Sequence, residues 1–478
     1  MIYKHPYPSK WRRYQAKLHK AEKRRRFLKK LPSLLTISGV SCAVLVLLIF
    51  IGFWVSNLLS QLPQTAPQLQ KKIEAHPTTP SENDLKKQIS TRPAKSFRKD
   101  LKKQINTRPT KPSKKDLKVY LGNVVKDSAR LTDQFILQNN GKRFFIRTTI
   151  HAKLQEYIGR MLKRSRTVQS AVVVLNPHDG RIKAMVNYNA DGNSDNLCLK
   201  ANFPAASLFK IVSASAALES AGYTPDKPLF FQGNKHTLYK YQLKTQKGRS
   251  TTQTKFRRAF ASSNNSVFGK IGIYDLGQNV LVKYADKFYF NRRIPFEFPL
   301  AASRIDVPAD EFGLAEIASG FNKRTLISPL HAALLSSVAA NNGSMPMPWL
   351  VESVRNESNE ILYQARQRVL ETTVNQKTAA DLKILMEDAV KYGTSRKSLR
   401  KLRRKEKFKN VDLGSKTGTI NDSTDRYKYD WLTAFALSAA DDRDICVGVL
   451  AVHGKILGTR ANEMARAIIN YYFSSKNA

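Results

Sequence analysis

Phe203-Pro-Ala-Ala-Ser-Leu-Phe-Lys-Ile-Val212 is the stretch on which the reading of this 478-residue chain turns. Pro204 at a first helical turn has its φ pre-set and loses no needed hydrogen bond, so the spacing predicts that a helix starts here. Ser207 and Lys210 are three residues apart and would share one face of that helix. A serine hydroxyl is a weak nucleophile until an adjacent base takes its proton. A lysine serves as that base only when burial or nearby cations lower its pKa. Behind the pair, Ile211-Val-Ser-Ala-Ser-Ala-Ala-Leu218 is small and apolar. That composition suits a helix packed on all sides, which would strip water from Lys210. Alone, a Ser-x-x-Lys recurs by chance in so lysine-rich a chain, and its weight rests on two partners downstream.

The second element is Ser263-Asn264-Asn265 and the third is Lys416-Thr417-Gly418-Thr419. Each has an ordinary reading by itself, the first as a loop or helix cap and the second as a strand ending in a turn. Taken in this order, the three match the motif set of penicillin-binding proteins and class A β-lactamases. The flanks extend the resemblance. Ala171-Val-Val-Val-Leu-Asn-Pro-His-Asp-Gly-Arg-Ile-Lys-Ala-Met-Val186 resembles the opening hairpin of the penicillin-binding transpeptidase domain. Arg147 to Gln155 resembles its lead-in helix, with His151 where an aspartate is usual. Ile327-Ser-Pro-Leu-His-Ala-Ala333, followed by Ala339 to Gly343, resembles its late helix. Lys416 to Asp422, followed by Asp430-Trp-Leu-Thr-Ala-Phe435, is similar to its C-terminal block, with Ala434 in place of a glycine. The resemblance covers residues 141–478.

Acyl-transfer chemistry then suggests a role for each residue. Ser207 would attack a carbonyl and become an acyl-enzyme, with Lys210 accepting its proton. Ser263 would pass a proton to the departing amine. Asn265, both donor and acceptor, suits the amide of a peptide substrate. Lys416 would hold a terminal carboxylate and keep Lys210 unprotonated by proximity, helped by the hydroxyls of Thr417 and Thr419. Gly418 would let the strand backbone approach the substrate closely. The resemblance further implies an oxyanion hole made by the amides of Ser207 and Thr419. It also implies a peptidoglycan stem peptide ending in D-Ala-D-Ala as substrate, and covalent capture of β-lactams at Ser207.

Transpeptidase, carboxypeptidase and β-lactamase share this acylation and differ in what attacks the acyl-enzyme. The Glu-x-x-Leu-Asn segment usual in class A β-lactamases is missing, and Asn264 replaces the aspartate of Ser-Asp-Asn. Both points favour a long-lived acyl-enzyme and a D,D-transpeptidase. A D,D-carboxypeptidase, a β-lactam-hydrolysing or sensing homologue, and a non-catalytic cell-wall scaffold are the alternatives. The stretch between residues 60 and 140 is too short for the family's glycosyltransferase domain. A short, single-activity form is therefore expected, for which a separate glycosyltransferase is a candidate partner.

Residues 1–30 carry twelve Lys/Arg and one acid, Glu22, and precede an uncharged apolar run from Leu34 to Leu59. That run is long enough to span a bilayer. The basic excess predicts a cytoplasmic tail (1–30), a single-pass anchor (31–60) and an exported remainder. Residues 61–118 read as a basic linker with a sixteen-residue repeat, seen in Asp84 to Pro93 and again in Asp100 to Pro109. Residues 119–478 form the catalytic domain. Its fold is expected to be α+β. Strands at 169–175, 181–188, 412–420, 431–438 and 445–452 would make one antiparallel sheet, 205–390 a helical subdomain, and 461–473 a closing helix. The net charge of +44 calls for anionic partners. On the exported side these would be wall polymer or lipid headgroups rather than nucleic acid. The basic run from Arg396 to Lys409 reads as a solvated loop. Cys198 and Cys446 would both be exported, and the question of their pairing stays open. No HExxH, P-loop or GxSxG pattern is present, so no cofactor or metal is called for.

Overall fold

The computed structural model describes residues 131–475 except 140, 194 and 246–250. The expected basic tail, membrane anchor and repeat linker lie outside the described residues. Among the described residues no helix is long and apolar enough to cross a membrane.

In chain order the elements are β1 (Gln134–Asn139), β2 (Lys142–Thr148), α1 (Ala152–Lys163), β3 (Gln169–Leu175), β4 (Ile182–Asn189) and β5 (Phe203–Pro204). Then follow α2 (Lys210–Ser220), β6 (Pro228–Gln232), β7 (Thr251–Lys255), α3 (Phe256–Ala261), α4 (Asn265–Lys270), α5 (Gly277–Lys287) and α6 (Glu311–Ser319). Next are β8 (Leu326–Ile327), α7 (Pro329–Ala340), β9 (Ser344–Pro346), β10 (Val351–Arg355), β11 (Ile361–Gln364) and β12 (Val369–Thr372). Last come α8 (Gln376–Lys391), β13 (Val411–Asn421), β14 (Lys428–Ser438), β15 (Ile445–His453) and α9 (Ala461–Tyr472).

The chain is α+β. Five antiparallel strands in the order β13-β14-β15-β3-β4 form the central sheet, so segments more than two hundred residues apart lie side by side. The two-residue side-chain period divides β3 between two cores. Ala171, Val173 and Leu175 face α7 and the helical region, while Val172 and Val174 face α1 and α9. A sheet covered on both faces needs strands that are apolar throughout, and every residue of β15 from Ile445 to His453 is buried. Cys198 and Cys446 are both buried and free, so the bridge left open by the sequence is not formed.

Three expectations are corrected. Pro204 does not begin a helix. It lies in β5, paired with Leu326, because a strand partner 122 residues away takes the segment first. Residues 205–390 are not purely helical: β6 pairs with β7, β9 with β12, and β10 joins a sheet of order β1-β2-β10-β11. Arg396 to Lys409 is not a plain loop. It makes two 3₁₀ turns, Leu399–Arg404 and Glu406–Phe408, which bury Leu399, Leu402 and Phe408. The departures from the family pattern have local explanations. His151 caps α1, its Nδ1 accepting from Leu154 N at 3.2 Å, which is the task an aspartate performs at such a position. Ala434 packs its methyl into the core beneath α9.

Two glycines give opposite predictions. A Cβ on Gly448 in β15 would stand 2.7 Å from both Ala333 N and Pro329 O of α7, backbone atoms that cannot swing away. Gly448→Ala should therefore lower unfolding stability by about 2 kcal/mol. A Cβ on Gly159, within α1, would meet only Val186 at 4.0 Å. Gly159→Ala should raise stability by about 0.5–1 kcal/mol. Urea unfolding of the two variants checks both signs.

Candidate active site

The turn that carries Ser207 is clamped before it begins. Ala205 N donates to Thr325 O at 2.8 Å, and the Pro204 carbonyl accepts from Trp431 Nε1 at 2.8 Å. Ala206 then turns the backbone with φ of 49°, and residues Ala206–Phe209 form a 3₁₀ turn that runs into α2 at Lys210. In 3₁₀ geometry residues three apart eclipse one another. Ser207 and Lys210 are thereby brought together, with Nζ and Oγ 2.9 Å apart.

Lys210 is fully buried on α2. Its amine donates to Asn265 Oδ1 at 2.8 Å and to the carbonyl of Ser319 at the end of α6. An uncharged amine has two N–H bonds and one lone pair. Two carbonyl oxygens take the N–H bonds, and the lone pair is left facing the Ser207 hydroxyl. Burial lowers the Lys210 pKa well below its ordinary value, and the nearby charge of Lys416 lowers it further. Neither lysine forms an ion pair among the described residues.

Ser263 sits in a left-handed turn, with φ of 57°, between α3 and α4. Asn264 caps α4, its side chain accepting from Val267 N at 3.1 Å. An asparagine therefore serves where an aspartate is usual. Asn265, the first residue of α4, has its Oδ1 on Lys210, and its Nδ2 donates to His236 O at 3.0 Å. The side chain expected to meet a substrate amide is thus first engaged in holding the Lys210 amine.

Lys416, in the middle of β13, is also fully buried. It donates to Ser263 Oγ at 3.0 Å and to its neighbour's carbonyl, Thr417 O, at 2.8 Å. Burial brings its pKa down to about 7. Ser263 is bonded to Lys416 and not to Lys210. The site is therefore two lysine-centred clusters, one around Ser207 and one around Ser263. Thr417 Oγ1 pairs with Thr394 Oγ1 at 2.7 Å. The Thr419 hydroxyl donates to Asp430 Oδ1 at 3.2 Å, behind the strand. That bond ties β13 to β14. At Gly418 a Cβ would stand 3.2 Å from Ala205 O and 3.3 Å from Ser207 N. A side chain there would require the edge strand and the serine turn to part slightly.

Sequence reasoning missed three contributors. Ser319 acts through its carbonyl, which leaves no mark in a sequence. Gly320, with φ of 63°, closes α6, and a Cβ there would overlap Ala206 O at 2.1 Å. Thr394 follows a glycine just past the end of α8, a helix-stop signal that was legible.

A family model described as the penicillin binding protein transpeptidase domain matches residues 170–470. Penicillin-binding protein 1A of Pseudomonas aeruginosa is 25% identical over 330 residues, a match covering 56% of this chain and 36% of that protein. Peptidoglycan D,D-transpeptidase PbpA of Mycolicibacterium smegmatis is 25% identical over 323 residues, covering 60% of this chain and 62% of that protein. The chain therefore spans less than two thirds of the length of either relative. Among solved structures, the ceftriaxone acyl-enzyme complex of penicillin-binding protein A from M. tuberculosis superposes with a TM-score of 0.56 at 23% identity. That match covers 68% of this chain and 79% of the other, and shows that the fold is shared. The matched span runs from β3 to α9 and takes in both lysine-centred clusters, which is well over half of the sequence: the chain belongs to the penicillin-binding protein transpeptidase family.

Proposed function

We propose that this chain is a membrane-anchored peptidoglycan D,D-transpeptidase that works through an acyl-enzyme on Ser207. The observation that carries the reading is the buried Lys210 amine, bonded to Asn265 Oδ1 and the Ser319 carbonyl, with its Nζ 2.9 Å from Ser207 Oγ. The stem peptide lies along the open edge of β13, where an extended chain finds unpaired backbone groups. Lys416 and the Thr417 hydroxyl hold its terminal carboxylate. Ser207 Oγ attacks the carbonyl of the penultimate D-Ala while Lys210 takes the proton. The amides of Ser207 and Thr419 receive the oxyanion. Ser263, held by Lys416, hands a proton to the departing D-Ala amine. An amine of a second stem peptide then takes the acyl group and restores Ser207. Among the described residues no carboxylate is hydrogen-bonded to Ser207, Lys210 or Asn265. This supports slow hydrolysis and favours an amine over water as acceptor.

The uncharged run from Leu34 to Leu59, behind twelve basic residues, supports a single-pass anchor with the catalytic domain on the outer side of the membrane. Residues 61–118 are the tether and 119–478 the catalytic domain. A separate glycosyltransferase supplies the glycan strands.

Four outcomes are expected. A fluorescent penicillin labels the wild-type chain, mass spectrometry finds the adduct on Ser207, and Ser207→Ala abolishes it. Lys210→Ala slows acylation by about 10²–10⁴-fold, the range for removal of a general base. An unlabelled wild-type protein beside a labelled control enzyme would defeat the proposal.

The pH profile has a definite sign. Lys210 must be neutral, so kcat/KM for a soluble D-Ala-D-Ala peptide falls as acid reprotonates it through its lowered pKa. Lys416 must be charged to hold a carboxylate, so in the free enzyme that contribution fades as pH rises through about 7. A substrate with its terminal carboxylate esterified should keep the acid limb and lose the alkaline one. The measurement is stopped-flow acylation from pH 5 to 9.

For topology, alkaline carbonate washing should leave the protein in the membrane. Protease added to spheroplasts should degrade the catalytic domain and spare the first thirty residues. Release by carbonate would rule out the anchor.

A further inference from the structure

Between α8 and β13 the chain crosses the flank of the molecule as a strap. From Arg396 to Lys409 it holds nine Lys/Arg and a single acid, Glu406. Acyl transfer makes no use of these charges, and the strap is far from an unstructured run. Its first 3₁₀ turn, Leu399–Arg404, has a three-residue period. Leu399 and Leu402 point inward and are fully buried. The same period sets Arg400 above Arg403 in one outward row and Lys401 above Arg404 in another. At about 2 Å of rise per residue, cations within a row are about 6 Å apart.

The frame is fixed to α9. Ser398 Oγ donates to Asn462 O at 2.9 Å, Lys405 Nζ to Asn470 Oδ1 at 2.7 Å and Lys407 Nζ to Asn470 O at 3.0 Å. The Phe408 and Phe473 rings meet with centroids 5.4 Å apart.

Some cations elsewhere in the domain are paired. Arg257 meets Asp226 and Asp388, and Arg460 meets Asp430. On the strap the one acid goes to Lys409, at 3.4 Å. Arg396, Lys397, Arg400, Lys401, Arg403 and Arg404 form no ion pair among the described residues, and all are exposed. The cations also crowd one another: burial and the charges of Lys405 and Arg443 lower the Lys407 pKa. An arriving polyanion would relieve that repulsion.

The strap starts beside the cleft strand. Thr417 is hydrogen-bonded to Thr394 at 2.7 Å, and Ser415 Oγ donates to Ser395 Oγ at 2.8 Å. We infer that the strap is a second, non-catalytic docking surface for the carboxylate-bearing peptidoglycan polymer whose stem peptide enters the cleft. The inference rests on the transpeptidase reading of that cleft. With one stem peptide on β13, the neighbouring repeats of the same polymer pass over this flank, and their carboxylates meet the rows of cations. The strap thus acts on the polymer and not on a short soluble peptide.

The test uses the full-length protein in detergent, pelleted with purified peptidoglycan sacculi. The strap variant is Arg400→Gln/Lys401→Gln/Arg403→Gln/Arg404→Gln. A charge-matched control, Lys163→Gln/Arg293→Gln/Arg366→Gln/Arg368→Gln, removes four exposed cations elsewhere. The sacculus concentration for half-pelleting should rise about tenfold in the strap variant, as expected for four lost surface ion contacts, and stay unchanged in the control. High salt should weaken wild-type binding. Wild type blocked with penicillin should still pellet. The penicillin-labelling rate of the strap variant should equal that of wild type, which also reports that it is folded. Equal pelleting of strap variant and wild type overturns the inference. So does strap-dependent binding of inorganic polyphosphate without strap-dependent binding of sacculi, which would assign the surface to a phosphate polymer. Failure of penicillin to label wild type would sink the enzyme reading and leave the pelleting comparison to be judged by itself.

Discussion

An amine kept dry and uncharged is the constraint that the rest of the molecule serves. Lys210 lies on a helix buried on every side, and placing a charge there without a carboxylate would cost several kcal/mol. Among the described residues no carboxylate pairs with that amine. The fold offers two carbonyl oxygens, Asn265 Oδ1 from α4 and Ser319 O from α6, and these can be satisfied by the N–H bonds of a neutral amine. Each acceptor comes from a different helix, so the positions of α2, α4 and α6 relative to one another follow from one nitrogen. The small side chains of α2, Ser213, Ala214, Ala216 and Ala217, let those helices close around it.

The second lysine depends on the sheet. β13 is the outermost strand, and its inner neighbour β14 fixes it along its full length, with Lys416 opposite Thr433 and Gly418 opposite Trp431. Trp431 reaches across to the Pro204 carbonyl, so the sheet grips the segment just ahead of Ser207. Behind the cleft, Asp430 gathers Thr419 Oγ1, Arg460 Nε at 2.7 Å and Ala461 N at 3.2 Å. One buried carboxylate thus joins the cleft strand, its neighbour and the start of the C-terminal helix. The distribution of charge follows the same division. Inside, burial lowers the pKa of both lysines. Outside, on the strap, six exposed cations have no ion-pair partner among the described residues.

Much of this was legible in the chain. The apolar run of β15, the hairpin of β3 and β4, and the closing helix α9 lie within one or two residues of where periodicity and turn residues put them. The Ser207–Lys210 relation survives even though the local element differs, since residues three apart coincide in a 3₁₀ turn as they do in a helix. Other readings failed for want of a partner. Pro204 was taken for a helix start because its strand mate, Leu326, is far along the chain. Nothing near Asn265 in sequence discloses that its side-chain oxygen receives the amine of the lysine 55 residues before it. The apolar spacing of Leu399, Leu402 and Phe408 was present all along, hidden by the density of charge between them.

By itself the sequence determined the residue types of the chemistry, the family they resemble and the elements that carry them, because helix, strand and turn preferences act over a few residues. The tertiary structure decided which polar atoms are free to react. That depends on where backbone carbonyls such as Ser319 O come to rest, and on how thoroughly water is removed from a nitrogen. Both are properties of packing between segments far apart in the chain.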